Sequence, residues 1–375
     1  MPISMPKLPR RSGGAVTRKL PKTLLGVDMG YDSLKLSLCR NGRVRKVASA
    51  AMPKNLLKEG RVVSTEAMGD FIRSAMRQNG MRGVANAAVI LPNESAYVRE
   101  VSMPLMSAEQ LVINIPYEFN DYITDELKGY VFDYAMISTP EDMERERLSA
   151  LAENMSSENA EGEETEEHSP SMDLMISAVQ TSVLDDLKRV MSKAGLKMVK
   201  AAPAICAYIS LIRNAQRRNG EQNSTKEYCI LDLGFQSVRM YMFRGERHVV
   251  TRVLETGLSA LDSAIADALD VDVHLAHTYL LTNYEGCQNQ EACVNAYNNI
   301  AVELMRALNF YRFSNPDSEI NDIWLCGGGA VITPLQEVIQ ETLDMNIHRA
   351  ASLAPGGDEI PDCYQYIEAI GITLD

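Results

Sequence analysis

A strand–turn–strand pattern occurs twice in this 375-residue sequence, at residues 25–36 and again at residues 229–240. Each copy reads as an apolar strand, a tight Asp-x-Gly turn and a returning strand with a period of two. The matched positions are Asp28 and Asp232, Gly30 and Gly234, Tyr31 and Phe235, Ser33 and Ser237, and Lys35 and Arg239. Such a turn directs backbone N–H groups at an anion, and its aspartate can hold a water on a magnesium ion. The repeat therefore predicts two equivalent halves that face each other across a phosphate.

The length and the composition narrow the class of protein. A chain of this length exceeds what one ordinary core supports, so two domains or a lobed molecule are expected. No apolar run approaches the roughly 20 residues that span a bilayer. Seven cysteines, an odd number, favour a reducing compartment over a disulfide framework. The net charge of -13 argues against general nucleic-acid binding.

Two segments are biased in charge. Residues 1–22 carry basic side chains and no acidic ones, so we expect residues 1–23 to form a disordered basic tail. This tail either is weakly attracted to anionic lipids or has no role. Residues 141–170 are rich in glutamate and are expected to form a disordered acidic surface loop, with a partner-binding role or none.

The stretch between the two hairpins mixes strands and helices, which predicts a small α+β subdomain. A capping box at Ser107 predicts the start of a helix. Apolar and aromatic side chains then follow at Leu111, Ile115, Tyr117 and Phe119. They either pack in the core of the subdomain or line a groove that receives a partner strand or tail.

A glycine run follows a short apolar strand in the second half of the chain. Gly327, Gly328 and Gly329 lie between this strand and a predicted helix with Thr333 as its N-cap and Pro334 at its first position. Consecutive glycines at such a junction let the backbone approach a ligand closely.

Together, the two hairpins and the glycine run resemble the nucleotide signature of the actin, Hsp70 and sugar-kinase superfamily. More narrowly, residues 26–30 with Lys35, and residues 303–311 just before the glycine run, are similar to those of the PilM family, relatives of FtsA. The resemblance implies an α/β, actin-like (ribonuclease H-like) two-lobed fold with an inserted small α+β subdomain. The implied boundaries are residues 24–83 and 201–226 for the first lobe, 84–200 for the inserted subdomain and 227–375 for the second lobe.

The resemblance also implies a function. Proteins of this family act as cytoplasmic scaffolds of a type IV pilus, or related type II secretion-like, assembly platform. They bind the cytoplasmic tail of a PilN-like membrane protein, close to a PilO-like protein and the pilus motor ATPase. We therefore expect a peripheral location at the inner face of the cell membrane, with membrane contact indirect or through the basic tail.

The site residues follow from the same resemblance, with ATP and magnesium as the expected ligands. Asp28 and Asp232 would hold magnesium through water, and Gly30 and Gly234 would form the phosphate turns. The remaining roles are Ser33 and Ser237 as phosphate hydroxyls, Lys35 at the β-phosphate, Gly327, Gly328 and Gly329 at the adenosine, and Glu303 and Arg306 at the ribose or base.

Four positions depart from the family pattern. Tyr31 and Phe235 replace small residues after the turn glycines, and Asp32 adds a carboxylate where phosphate oxygens should lie. Ala202 precedes Pro203 where a Glu or Gln often orients the attacking water. We therefore predict ATP hydrolysis that is weak or absent, while ATP binding is either retained or lost.

Two alternatives remain open. A small-molecule kinase of the same superfamily would carry a catalytic acid and a substrate loop, and neither is recognisable in the sequence. An FtsA-like membrane-associated filament protein would carry a C-terminal amphipathic helix, whereas this sequence ends at Asp375. Both expectations favour the scaffold.

Overall fold

The computed structural model describes residues 20–138, 143–149, 170–222 and 224–374. Within these ranges the chain forms two compact units, which we call the small unit (residues 94–185) and the large unit (residues 20–93 and 186–374). Nearly all of the predicted basic tail, and the acidic loop apart from residues 143–149 and 170, lie outside the described residues. No helix of the described residues is long and apolar enough to cross a membrane.

The large unit contains two five-stranded sheets with the same strand order. The first sheet runs Lys197–Ala202 (β10), Asn86–Ile90 (β6), Thr23–Met29 (β1), Ser33–Arg40 (β2) and Arg43–Ala51 (β3). The second sheet runs Asn346–Arg349 (β15), Asp322–Cys326 (β14), Glu227–Leu233 (β11), Val238–Arg244 (β12) and Arg247–Leu254 (β13). In each sheet the three hairpin strands pair antiparallel and the other two join in parallel. The predicted duplication is confirmed at the level of whole sheets.

Helices and a short ribbon complete the large unit. The ribbon pairs Leu57–Lys58 (β4) with Arg61–Val62 (β5). The helices are Thr65–Gln78 (α1), the end of Thr181–Ala194 (α4), Ala204–Asn219 (α5), Leu258–Leu269 (α6), Val273–Thr282 (α7), Glu291–Ser314 (α8), Thr333–Leu343 (α9) and Ile367–Gly371 (α10). The N-cap of α9 is Ile332, so the prediction of Thr333 at this position is wrong. Ile332 is fully buried in extended backbone, and this packing fixes the point where the helix begins.

The last helix returns to the first sheet. The Ser37 hydroxyl on β2 donates a hydrogen bond of 2.7 Å to the Ala369 carbonyl oxygen on α10. A Cβ at Gly26 on β1 would overlap this same carbonyl group, so only glycine allows the helix to lie so close. The prediction that all of residues 227–375 belong to the second half therefore needs correction, because α10 packs on the first.

The small unit is built on a three-stranded antiparallel sheet. Its strands run in the order Ala96–Pro104 (β7), Ser171–Gln180 (β9) and Tyr130–Met136 (β8), and its helices are Ala108–Asn114 (α2) and residues 143–149 (α3). The capping box at Ser107 is confirmed by both of its hydrogen bonds. The unit is narrower than the predicted span 84–200, because β6 and β10 pair within the first sheet of the large unit. Residues 143–149 form a helix where an irregular loop was expected, and Met143 packs against the core of the unit.

Candidate functional site

The two Asp-x-Gly turns place their aspartates at equivalent positions, one residue before the end of β1 and of β11. In the antiparallel register Asp28 lies opposite Lys35, and Asp232 lies opposite Arg239. The Lys35 ammonium is 3.9 Å from the Asp28 carboxylate. The first turn is closed by the Gly30 N–H, which donates to the Ser33 carbonyl at 3.0 Å. Each aspartate therefore faces a basic side chain on its returning strand.

The two aspartates are also electrostatic neighbours, which brings the two hairpins together at one site. Burial raises the pKa of Asp28; Lys35 counteracts this effect, and the charge of Asp232 adds to it. Burial likewise raises the pKa of Asp232, with Lys35 and Arg239 opposing. Burial lowers the pKa of Lys35, but the combined charges of the surrounding acids hold it above its usual value. Lys35 thus interacts with both carboxylates.

A third acid, Glu368 on α10, joins this group, and sequence reasoning missed it. The Tyr208 hydroxyl donates to its carboxylate at 2.7 Å. Burial raises the pKa of Glu368 to about 8, and the charges of Asp28 and Asp232 contribute, while the Tyr208 hydrogen bond and Lys35 oppose the shift. No local pattern marks Glu368, because only the close approach of α10 to β1 brings it here. The site therefore combines three acids with one lysine at its centre.

The half-buried Glu368 makes the stability of the fold depend on pH. Because the folded protein keeps a proton on Glu368 that the unfolded chain loses above about pH 4.5, this group destabilises the fold progressively as the pH rises from about 4.5 to about 8. Glu368→Gln keeps the shape and cannot ionise, so its melting temperature should fall less than that of the wild type between pH 5 and pH 8. Thermal unfolding at both pH values measures this difference, with the exposed Glu303→Gln as the control. Equal declines in wild type and Glu368→Gln would contradict the assignment.

The glycine run lies against the second aspartate. Gly327 has a φ of +84°, and a Cβ there would collide with the Asp232 carboxylate and the Leu233 backbone. A Cβ at Gly329 would lie 2.8 Å from the Cβ of Leu233, whereas one at Gly328 would meet only the Leu258 side chain, at 3.5 Å. Gly327 and Gly329 are thus required for the run to pack beside the turn, as the strand–glycine–helix pattern predicts.

The other predicted ligands differ in how they are placed. Ser237 is buried, and its hydroxyl has no hydrogen-bond partner among the described residues. Ser33 is half-buried at the start of β2. In the second turn, a Cβ at Gly234 would lie only 2.7 Å from the Ser237 carbonyl oxygen. Glu303 and Arg306 lie on the exposed face of α8 and form an ion pair with each other. Their contact with a ribose or base stays a prediction.

These residues fit a magnesium-bound polyphosphate. Asp28 and Asp232, whose pKa values are raised, would gain from a nearby cation, since its charge offsets the cost of ionising them. Lys35 and the unpaired Ser237 hydroxyl can bind phosphate oxygens. In the part of the chain that the structure describes, no three His, Cys, Asp or Glu side chains are grouped to hold a metal directly. Magnesium usually keeps several of its water molecules, and the carboxylates of Asp28 and Asp232 could bind it through them.

Comparison with known proteins gives the family. The family model for the type IV pilus assembly protein PilM matches residues 162–352, just over half of the chain. The chain belongs to the PilM family. No curated protein sequence matches it.

Solved structures confirm the actin-like fold of this PilM family member. The structure of a PilM–PilN type IV pilus biogenesis complex is similar, with a TM-score of 0.73 and 20% identity, and the match covers 94% of this chain and 98% of that one. The ethanolamine utilization protein EutJ from Carboxydothermus hydrogenoformans is also similar, with a TM-score of 0.55 and 14% identity over 96% of this chain and 92% of that one. At these identities the likeness shows the fold alone.

The residues predicted to line a partner groove divide between core and surface. Leu111, Ile115 and Phe119 are buried in the core of the small unit, where they pack with residues of β7, β8 and β9. This is the core alternative, and it leaves the three side chains unable to meet a partner in the folded protein. Tyr117 is 56% exposed. Apolar periodicity along α2 served the core, so the available surface lies on the opposite side of the helix.

Large apolar side chains are nevertheless exposed on α2 and on the residues that follow it, and only Tyr117 among them was predicted to meet a partner. We call the four exposed side chains Val112, Ile113, Tyr117 and Tyr122 the α2 surface. The Arg99 guanidinium lies 4.0 Å from the centre of the Tyr122 ring and donates to the Glu118 carbonyl, which holds the edge of this surface in place. Exposed large apolar side chains close together in the sequence are a candidate protein–protein contact site.

Proposed function

We propose that this protein is a nucleotide-binding scaffold of a type IV pilus assembly platform. It binds Mg-ATP at the two aspartate turns and the cytoplasmic tail of a PilN-like membrane protein on its small unit. Through this partner it lies at the inner face of the cell membrane, close to a PilO-like protein and the motor ATPase. The observation that carries the nucleotide half of this proposal is the convergence of Asp28 and Asp232 on Lys35 from two equivalent hairpins.

The charges at the site explain why magnesium is needed. Lys35 and Arg239 already face the carboxylates of Asp28 and Asp232, so little positive charge is left over for a bare polyphosphate. A divalent cation supplies that charge, because it lowers the cost of ionising Asp28 and Asp232 and attracts the phosphate oxygens. Nucleotide without magnesium should therefore bind much more weakly than Mg-ATP.

Turnover of the bound nucleotide is expected to be slow. Ala202 ends β10 and Pro203 caps α5, at the place where related sites often use a carboxylate or amide to orient the attacking water. The alanine methyl group cannot do this, and phosphoryl transfer depends mainly on positioning. Binding without efficient hydrolysis suits a scaffold whose conformation reports nucleotide occupancy.

The α2 surface supports the second half of the proposal. The fold is shared with a protein solved in complex with PilN, and four of the exposed large apolar side chains of the small unit belong to the α2 surface. A short tail with apolar anchors, laid across α2, would cover them in the manner of peptide-groove recognition. Arg99, stacked on Tyr122, adds a positive charge at the edge that favours an acidic residue in the tail.

Substitution of Ile113 tests this contact. Ile113 is 62% exposed, so Ile113→Glu should fold normally yet bind a synthetic peptide of the partner's tail about tenfold less tightly, because a buried aliphatic anchor would be replaced by a charge. Calorimetry of the peptide against both proteins measures the change. Phe313→Glu on α8, at a position 85% exposed in the large unit, is the matched control and should leave the affinity unchanged. Equal affinities for Ile113→Glu and wild type would remove the α2 surface from the proposal.

A further inference from the structure

His277 on α7 is held by a buried acid. Its Nδ1 lies 2.8 Å from an Asp262 carboxylate oxygen on α6. Asp262 is only 1% exposed, and its other carboxylate oxygen has no hydrogen-bond partner among the described side chains and backbone groups. A buried carboxylate facing one imidazole nitrogen fixes the orientation of the ring and stabilises a proton on that nitrogen.

The other ring nitrogen points at the first phosphate turn. The Nε2 atom of His277 lies 3.4 Å from the carboxylate of Asp32, which follows Gly30 and Tyr31 in the turn between β1 and β2. The edge of the same ring contacts Phe235 of the second turn, with the ring centres 5.7 Å apart. A single imidazole on α7 therefore touches both turns of the candidate nucleotide site, although it lies in neither hairpin.

The surroundings favour the charged form of this ring. Each of its nitrogens faces a carboxylate, and only the imidazolium form can donate to both. The hydrogen bond that the ring donates to Asp262 raises the pKa of His277; burial lowers it, and the charges of Asp262 and Asp32 raise it further. Cys293 on α8 also lies near Asp262. Among the described residues, the charged groups that face the ring are the carboxylates of Asp262 and Asp32.

We propose that Asp262, His277 and Asp32 form a clasp that ties the first phosphate turn to helices α6 and α7 and neutralises Asp32 so that this turn accepts a polyphosphate. The inference rests on the proposed nucleotide site and adds a positioning residue to it. It also resolves the departure at Asp32, since a carboxylate beside the phosphates is tolerated when an imidazolium faces it. Because the charged form of His277 does this, nucleotide affinity should fall as the pH rises through its pKa, which lies above the usual value for histidine.

A double-mutant cycle with His277→Gln and Asp32→Asn tests the clasp. His277→Gln leaves Asp32 uncompensated and should weaken Mg-ATP binding about tenfold, the size expected for one charge-assisted hydrogen bond. In the Asp32→Asn background the same change should cost about twofold or less, because no charge remains to be neutralised. Equal losses in both backgrounds would overturn the proposal.

A second readout does not depend on nucleotide. The five histidines can be followed by NMR with labelled histidine, and Asp32→Asn should lower the pKa of His277. An unchanged His277 pKa would overturn the clasp even where nucleotide binding is intact. Conversely, if wild type binds no Mg-ATP while Asp32→Asn still lowers the His277 pKa, the proposed function fails and the clasp between the turn and α7 stands.

Discussion

Replacing Gly26 with alanine is expected to destabilise the protein by about 4 kcal/mol or more, an exceptional loss for a single methyl group. The added Cβ would overlap the carbonyl group of Ala369 and crowd the Ser37 hydroxyl. Neither neighbour can move freely, because one is backbone and the other already donates to it at 2.7 Å. The substitution must push α10 away from β1, and with it Glu368. Urea unfolding of both proteins measures the loss.

Gly129→Ala provides the matched control for this loss. A Cβ at Gly129 would have no atom within 4 Å, and the backbone there is not left-handed, so the same substitution should change stability by no more than about 0.5 kcal/mol. If Gly26→Ala were as stable as Gly129→Ala, then α10 would not pack on β1 as described. The placement of Glu368 in the site would fail with it.

The second large effect is expected from Asp28→Asn, which should weaken Mg-ATP binding about 100-fold or more. The asparagine keeps the shape of the side chain but removes the negative charge that holds the magnesium water and faces Lys35. The protein should still fold, since an amide is cheaper to bury here than a carboxylate whose pKa burial raises. Calorimetric titration with Mg-ATP, alongside circular dichroism, separates lost binding from lost structure.

Asp344→Asn serves as the control for this experiment. Asp344 lies at the end of α9 in left-handed backbone, which asparagine adopts as readily, so nucleotide affinity should not change. A folded Asp28→Asn protein with wild-type affinity would contradict the assignment of the first turn as a phosphate site.

The duplicated hairpins could be predicted because their cause is local. Strand alternation and the Asp-x-Gly turn fix each hairpin within about a dozen residues of sequence, and the repeat then implies the second sheet. The same local rules explain why Lys35 lies opposite Asp28, since an antiparallel register follows from the length of the turn. These parts of the fold and of the site were therefore within reach of sequence reasoning.

The parts that sequence reasoning missed depend on contacts between distant residues. Glu368 reaches the site only because α10 packs against β1, where Gly26 leaves room for it and Ser37 donates a hydrogen bond to it. No periodicity in residues 367–371 indicates this contact. Asp262 and His277 meet through the packing of α6 on α7, so their role is equally invisible in the sequence. The spacing of Leu111 and Ile115 fits a core and a groove alike, because both present one apolar helix face.

Titration of the wild-type protein with Mg-ATP, in the absence and then in the presence of the partner's tail peptide, tests the central claim most directly. We expect micromolar nucleotide binding whose affinity changes when the tail is bound, as a scaffold with linked nucleotide and partner sites requires. Tail binding with no heat from Mg-ATP under either condition would contradict the account. It would mean that the aspartate turns no longer bind nucleotide and that the actin-like fold serves only as a docking surface.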